Sequence, residues 1–226
     1  MRTTLLVVIV AMIAIGLVPE ANAQPANAVT IDFSTAPQAP EPFPKDFYAQ
    51  QEIIFTEASN VGFIQGDEAL GGAPTIAAFF TKPVTSLSLQ AAPAFQGTAE
   101  YTLTAFDRAG QVILSAATVV TEDEGDPAHQ GFGYFTVDLG TLPRPASSFT
   151  FQSRFIRSSF GTPDCGDEPV DRCFSYGVRT ISFTVAPTSK DQCENGGWRT
   201  YGVFKTQGDC VSFVATGGKN PPAASS

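Results

Sequence analysis

Histidine is almost absent from this 226-residue chain, in which His129 is the only one. A Ser-His-Asp triad needs a histidine to take the proton of the serine. His129 lies in the stretch EDEGDPAHQGFG, whose acids and glycines are typical of a loop. No Gly-x-Ser-x-Gly motif occurs either. The sequence therefore argues against catalysis by a serine nucleophile.

Cysteine is scarce, and the four that occur are Cys165, Cys173, Cys193 and Cys210. None forms a Cys-x-x-Cys pair or lies near His129, so the usual spacing of zinc ligands is missing. In an exported chain they predict disulfides. Short loops lose the least entropy on closing, which favours Cys165–Cys173 and Cys193–Cys210 over the two other pairings.

Long apolar runs are confined to the first 23 residues, where Leu5 to Val18 follows Arg2. Pro19 ends the run, and small residues at 21 and 23 provide a cleavage site, which together predict a signal peptide over residues 1–23. The alternative is a membrane anchor, but the run is shorter than the ~20 residues that a spanning helix needs. We expect a secreted, extracellular product that begins at residue 24 and does not insert into a membrane, with the cell surface or periplasm as alternative locations.

Basic residues are few in the larger part of the chain, residues 24–187. Residues 24–187 hold 18 acidic and 8 basic side chains, whereas residues 188–226 hold 3 and 4. Nucleic acids require clustered lysine and arginine, so the sequence excludes a nucleic-acid partner. The change in charge supports a division into a main domain (24–187) and a tail (188–226).

Helical periodicity is missing after the signal peptide, and alternation with a period of two replaces it. VTSLSLQ (84–90) and AEYTLTAFD (99–107) alternate apolar and polar residues, and RAG (108–110) turns the chain into QVILSAATVVT (111–121). Residues 75–92 indicate two strands broken near Pro83. Eight to ten such strands predict an all-β protein, an antiparallel β-sandwich of the jelly-roll type, with a short disulfide-linked C-terminal appendage.

The order of VTIDF, YAQQEIIFT, FFTKPVTSLSLQAA, AEYTLTAFDRAGQVI and RTISFT, over about residues 29–185, resembles bacterial secreted jelly-roll domains of the galactose-binding-like, carbohydrate-binding-module type. The resemblance implies a non-catalytic sandwich with a glycan surface on its loops or on one face. It also implies a structural calcium held by an acid in the first strand, which Asp32 matches, and by an acidic pair before the last strand. Val178 and Arg179 stand where that pair is expected.

A second candidate for calcium is the loop at 121–127, because hard cations prefer several oxygen ligands. Its acids are Glu122, Asp123, Glu124 and Asp126. The alternative for this loop is an ordinary solvated acidic turn. No other cofactor is indicated.

The tail carries CENGGWRTYGVFKTQGDC (193–210), which is similar to C-terminal tails of assorted exported bacterial proteins. Asn195-Gly196 is a tight-turn signal and predicts a small hairpin there, followed by a flexible end at 215–226. Trp198, with Tyr201, is either a platform for a sugar or the centre of a miniature core.

These observations predict an exported, non-catalytic binding module whose partner is extracellular glycan or cell-envelope material. One alternative is a structural cell-surface or matrix protein without a small ligand. The other is a glycoside hydrolase with an unrecognised carboxylate pair. No catalytic residue is indicated: most acids lie at turns, and Glu52, Glu100 and Asp138, the acids within strands, are expected on solvent-facing sides.

Because the tail has its own covalent link, we expect a chain that ends near Pro187 to remain folded. Circular dichroism and size-exclusion chromatography of that truncated protein check this. Aggregation or loss of the β signal would show that the tail is part of the main core.

Overall fold

A computed structural model describes residues 27–35, 44–56, 61–64, 69–72, 75–93, 97–122, 133–157, 176–220 and 222. The proposed signal peptide, His129, Cys165, Cys173 and the acids Asp123, Glu124 and Asp126 lie outside these residues. The described strands are β1 (Ala28–Asp32), β2 (Ile53–Phe55), β3 (Val61–Ile64), β4 (Ala69–Gly72), β5 (Thr75–Pro93), β6 (Gly97–Phe106), β7 (Val112–Glu122), β8 (Phe135–Arg157) and β9 (Tyr176–Val185).

All the described strand pairs are antiparallel, and the two longest strands, β5 and β8, pair with each other in both of their halves. Their register shifts between Phe79 and Ser88, close to Pro83, which has no N–H to give to a neighbouring strand. The first half of β5 also pairs with β2, and the second half pairs with β9. The two strands predicted on either side of Pro83 are therefore one strand that passes from one layer into the other.

The first layer contains β1, β9, the second half of β5 and the first half of β8. The second contains β2, the first half of β5, the second half of β8, β6 and β7. The short strands β3 and β4 pair with each other, and β4 joins the start of β9.

Aromatic rings join the two layers. Tyr176 of β9 meets Tyr101 of β6 edge-on, with ring centroids 6.0 Å apart, although β6 and β9 are not neighbours in the sheet. Its hydroxyl donates to the carbonyl oxygen of Phe151 at 2.9 Å, and burial raises the pKa of this phenol. Phe80 and Phe183 pack 5.0 Å apart in the same core. The predicted antiparallel β-sandwich is confirmed.

The segment 47–56, whose aromatic and β-branched residues are typical of a strand, is extended only at β2. Residues Ala49–Gln51 form a 3-10 turn, and Glu52 has a left-handed backbone with φ of 67°. The turn places Tyr48 in the core, where its ring lies 5.4 Å from Phe33. Burial of this aromatic ring outweighs the strand preference of its neighbours, and raises the pKa of Tyr48 to about 12.

The tail contains the predicted Cys193–Cys210 disulfide, with Cα atoms 5.7 Å apart, but the predicted hairpin is wrong. Two 3-10 turns, Lys190–Cys193 and Gly197–Tyr201, precede helix α1 (Gln207–Ala215). Asn195 and Gly196 are left-handed, as a tight turn requires, but the chain then enters a 3-10 turn instead of a second strand. Thr206 caps α1 by accepting a hydrogen bond from the Asp209 amide at 3.1 Å.

A second apolar cluster forms inside the tail around the disulfide. Its rings are Tyr201, Phe204 and Phe213, with Trp198 packed against them. The start of the segment predicted to be flexible folds back on helix α1, where Asn220 donates to the Ser212 hydroxyl at 2.7 Å. Residues 223–226 lie outside the described part of the chain.

Hydrogen bonds connect the tail to the sandwich. Asn27 donates through Nδ2 to the Tyr201 hydroxyl at 2.8 Å and accepts at Oδ1 from Gln192 at 3.3 Å. Gly202 lies so close to Thr141 that a Cβ there would be 2.7 Å from its methyl group. The division at 187/188 remains a prediction. No helix among the described residues is long and apolar enough to cross a membrane.

A methyl group at Gly197 would lie 2.3 Å from the carbonyl oxygen of Gln192, a backbone atom that cannot move aside freely. We expect Gly197→Ala to destabilise the tail by about 1–3 kcal/mol, the usual cost of overpacking. Fluorescence of Trp198, the only tryptophan, measures this during denaturant unfolding. Gly208→Ala is the control, because its nearest neighbour would be 3.8 Å away and alanine favours a helix. Equal stability of the two variants would contradict the packing described.

Candidate ligand-binding face

The outward side of the first layer is polar across four strands, because their registers align side chains of one type. Thr30 of β1 lies opposite Ser182 of β9, which lies opposite Ser88 of β5, which lies opposite Asp138 of β8. Successive residues of a strand point to opposite sides, so the neighbours of these four point inward. Those neighbours include Ile31, Ile181, Leu87, Leu89 and Val137, all buried.

Two further rows flank the first one. The first of them consists of Asp32, Thr180, Gln90 and Thr136. The second consists of Ala28, Thr184, Ser86 and Thr141. We call this surface the hydroxyl face; its polar members on the four strands are Thr30, Asp32, Ser86, Ser88, Gln90, Thr136, Asp138, Thr141, Thr180, Ser182 and Thr184. Four strands at about 4.8 Å spacing make it roughly 14 Å wide.

The hydrogen-bonding groups of this face are only partly used by the protein. Thr30 and Ser182 share a hydrogen bond of 3.0 Å, and Ser86 donates to the Thr184 hydroxyl at 2.9 Å. Within the described residues, the side chains of Ser88 and Gln90 form no such bond. A shallow depression of about 150 Å³ lies over this part of the face and includes Ser88, Ser182 and Asp138. The face thus presents donors and acceptors to whatever covers it.

Arg179 reaches the same face through an irregularity in the sheet. Thr180 is opposite Gln90 and Val178 is opposite Ala91, so Arg179 is the extra residue of a β-bulge. A bulge re-aims the side chain at that position. The guanidinium lies over the ring of Tyr134, 5.4 Å from its centroid, within cation–π range. Tyr134 remains 44% exposed and gives one end of the face an accessible aromatic ring.

Asp32, expected as a calcium ligand, is already surrounded by donors. Its Oδ1 accepts from the Ser34 hydroxyl at 2.6 Å and the Ser34 amide at 3.0 Å, and Arg179 Nε lies 3.7 Å away. The pKa of Asp32 is lowered, chiefly by the hydrogen bond from the Ser34 hydroxyl. Burial acts in the opposite direction and raises the pKa, whereas the Ser34 amide and the charge of Arg179 lower it further. An internal cation therefore stands beside Asp32 where the resemblance implies acidic partners.

Calcium binding at Asp32 and at the loop 121–127 stays a prediction. In the part of the chain that the structure describes, no group of three or more His, Cys, Asp or Glu side chains is arranged to hold a metal. Glu122 ends β7, and the other three acids of that loop lie outside the described residues.

Tyr201 and Trp198, the aromatic residues expected in the binding site, lie in the tail. Tyr201 is 6% exposed, its ring packs 6.0 Å from Phe204, and burial raises its pKa. Its ring thus belongs to the tail cluster. Trp198 is partly buried against the tail cluster, and the Arg199 guanidinium lies 5.0 Å from its ring centroid.

The three acids predicted within strands lie in different parts of the fold, and Glu52 stands just before β2 instead of within a strand. Asp138 is on the hydroxyl face, whereas Glu100 is on the outward side of the second layer, where it pairs with Arg154 at 3.1 Å. Glu52 follows the 3-10 turn and pairs with Lys82 at 2.5 Å. The structure thus brings none of these carboxylates to another.

Two residues of the face were missed at the sequence level. Tyr134 precedes the alternating segment FTVDL, and extending that alternation by one residue would have placed it on the outward side with Thr136 and Asp138. Arg179 had no such signal, because a bulge is a feature of the strand pairing and not of one strand's sequence.

No protein-family model matches the chain, and no curated protein sequence matches it. Solved structures do match. A carbohydrate-binding module of family 29 is 9% identical, with a TM-score of 0.39, over 70% of this chain and 87% of that one. A mutant of such a module in complex with mannohexaose is 10% identical, with a TM-score of 0.39, over 70% and 90%.

A family two carbohydrate esterase from Cellvibrio japonicus is 12% identical, with a TM-score of 0.32, over 70% of this chain and 33% of the esterase. Similarities this low carry no argument about a ligand. The function must therefore be argued from the residues of this chain.

A carboxyl whose pKa is lower in the folded than in the unfolded state stabilises the fold at pH values above its unfolded pKa. This stabilisation is lost as the pH falls through the pKa of the folded state. We expect Asp32→Asn to lower the melting temperature at pH 7 and to have a smaller effect at pH 2, because protonation of the folded carboxyl removes the stabilisation as the pH falls below its lowered pKa. Thermal melts of both proteins across this range measure the difference. An Asp32→Asn effect of the same size at both pH values would contradict the role given to the ionised carboxylate.

Proposed function

We propose that this protein is an exported, non-catalytic module that binds extracellular or cell-envelope glycan on its hydroxyl face. The observation that carries the proposal is the alignment of three polar rows across four strands, with Tyr134 at one end. Sugar hydroxyls both donate and accept hydrogen bonds, and the side chains of Ser88, Gln90 and Asp138 offer both functions. The C–H face of a pyranose ring packs on an aromatic ring such as that of Tyr134.

The chemistry of the face favours binding over turnover. Its acids do not form a carboxylate pair of the kind that glycosidases use, because Asp32 on β1 and Asp138 on β8 are three strand spacings apart, about 14 Å at roughly 4.8 Å each, which is wider than the roughly 5–9.5 Å of such pairs. The Cys193–Cys210 disulfide agrees with an oxidising compartment outside the cytosol.

A glycan array followed by titration of the best soluble polysaccharide tests the proposal. We expect Tyr134→Ala to weaken binding about tenfold, since a stacked ring contributes about 1–1.5 kcal/mol, and Tyr134→Phe to retain most of it. Ser88→Ala should weaken binding as well. Gln152→Ala is the matched control, because Gln152 lies on the outward side of the second layer.

Binding to no glycan on the array would favour the structural alternative. Loss of binding in Trp198→Ala with Tyr134→Ala unaffected would move the site into the tail. An equal loss in Gln152→Ala would show that the hydroxyl face is not responsible.

A further inference from the structure

A larger cleft lies where β1, the turn at Ala49–Gln51 and the start of the tail meet. Its volume is about 410 Å³, within the range of small-molecule sites. Ala28 and Val29 border both this cleft and the depression on the hydroxyl face, but the other lining residues differ. We call it the amide cleft, because four of its lining side chains are carboxamides: Asn27, Gln50, Gln51 and Gln192.

The amide cleft has no net charge from its lining. Its only ionic groups are Glu52 and Lys82, which pair with each other at 2.5 Å. Val29, Val185 and Ala186 provide apolar surface beside the amides. Neutral amides beside an apolar floor suit a ligand that is itself neutral and has both hydroxyl groups and C–H surface, as a sugar residue has.

Two of the four amides are fully engaged and form fixed walls. Asn27 bonds to Tyr201 and Gln192, and the Oε1 of Gln192 accepts from the Thr188 amide at 2.7 Å. Their positions are therefore set before any ligand arrives. Because Thr188 and Gln192 belong to the tail, the cleft is complete only when the tail is docked.

Gln51 is different, because its Oε1 is buried and has no hydrogen-bond partner among the described residues. An unmade hydrogen bond of this kind is costly, and few occur in folded proteins. The residue is held by a strained turn, since Glu52 follows with φ of 67° and its carboxylate accepts hydrogen bonds from Thr81 and Lys82. Backbone strain of this type concentrates at binding sites.

We infer that the amide cleft is a second binding site, which takes one neutral sugar residue; the Gln51 carboxamide, whose Oε1 is buried and unpaired among the described residues of the free protein, turns toward the cleft to accept a hydrogen bond from a ligand hydroxyl. The site is separate from the hydroxyl face and does not depend on the function proposed for it. It gives the tail a role, because Thr188 and Gln192 close one side of the cleft.

Titration of the ¹⁵N-labelled mature protein with methyl glucoside, methyl mannoside and methyl galactoside tests the inference by NMR. At least one glycoside should shift the side-chain amide signals of Gln51, which are assigned by their loss in Gln51→Met. We expect Gln51→Met to bind at least tenfold more weakly and to melt at the same or a higher temperature, because it removes an unpaired acceptor. Gln152→Met, on the far layer, should bind normally.

Three results would overturn the inference: no shift at Gln51 with any glycoside, a shift only with triglycine amide as a peptide probe, or undiminished binding by Gln51→Met. Tyr134→Ala should leave these titrations unchanged. Failure of the cleft is therefore distinguishable from failure of the hydroxyl face, whose binding is measured with polysaccharide.

Discussion

The pairing of β5 with β8 in both layers is the constraint on which the rest of the structure depends. These two strands carry the hydrogen bonds of one layer into the other, so the register on one side limits the register on the other side. A shift of one residue in the second half of β5 would turn Leu87 and Leu89 outward and Ser86 and Ser88 inward. The same pairing therefore fills the core and aligns the polar rows of the hydroxyl face. Fold and candidate site share one cause.

Much of the fold could be predicted from alternation, because burial of one side of a strand leaves a period of two in its sequence. VTSLSLQ and AEYTLTAFD have this pattern, and both lie in strands. The 3-10 turn before Glu52 and helix α1 in the tail could not be predicted in the same way. Both are short, and each is fixed by contacts with residues outside it: Tyr48 packs against Phe33, and the disulfide joins Cys193 to Cys210 of the helix.

The candidate site was less predictable than the fold for a related reason. Each row of the hydroxyl face takes one residue from each of four strands, so no motif in a single segment reveals it. Trp198 was conspicuous because it is the only tryptophan, yet it packs against the tail cluster. Tyr134 was inconspicuous, and its exposure follows from its place just before β8. The register of the strands is therefore a better guide to a binding surface than the rarity of a residue type.

The small size of the tail explains why it contains a disulfide. A small apolar cluster cannot stabilise a tail of 39 residues alone, and a covalent link reduces the entropy of the unfolded segment. A stapled segment also keeps its surface groups in fixed places. Asn27 and Gln192 make their hydrogen bonds across the junction between tail and sandwich, so docking the tail also fixes one side of the amide cleft. Stability of the tail and shape of the cleft are thus coupled: a change that loosens the turn at Gly197 should enlarge or open the cleft while leaving the pairing of β5 with β8 intact.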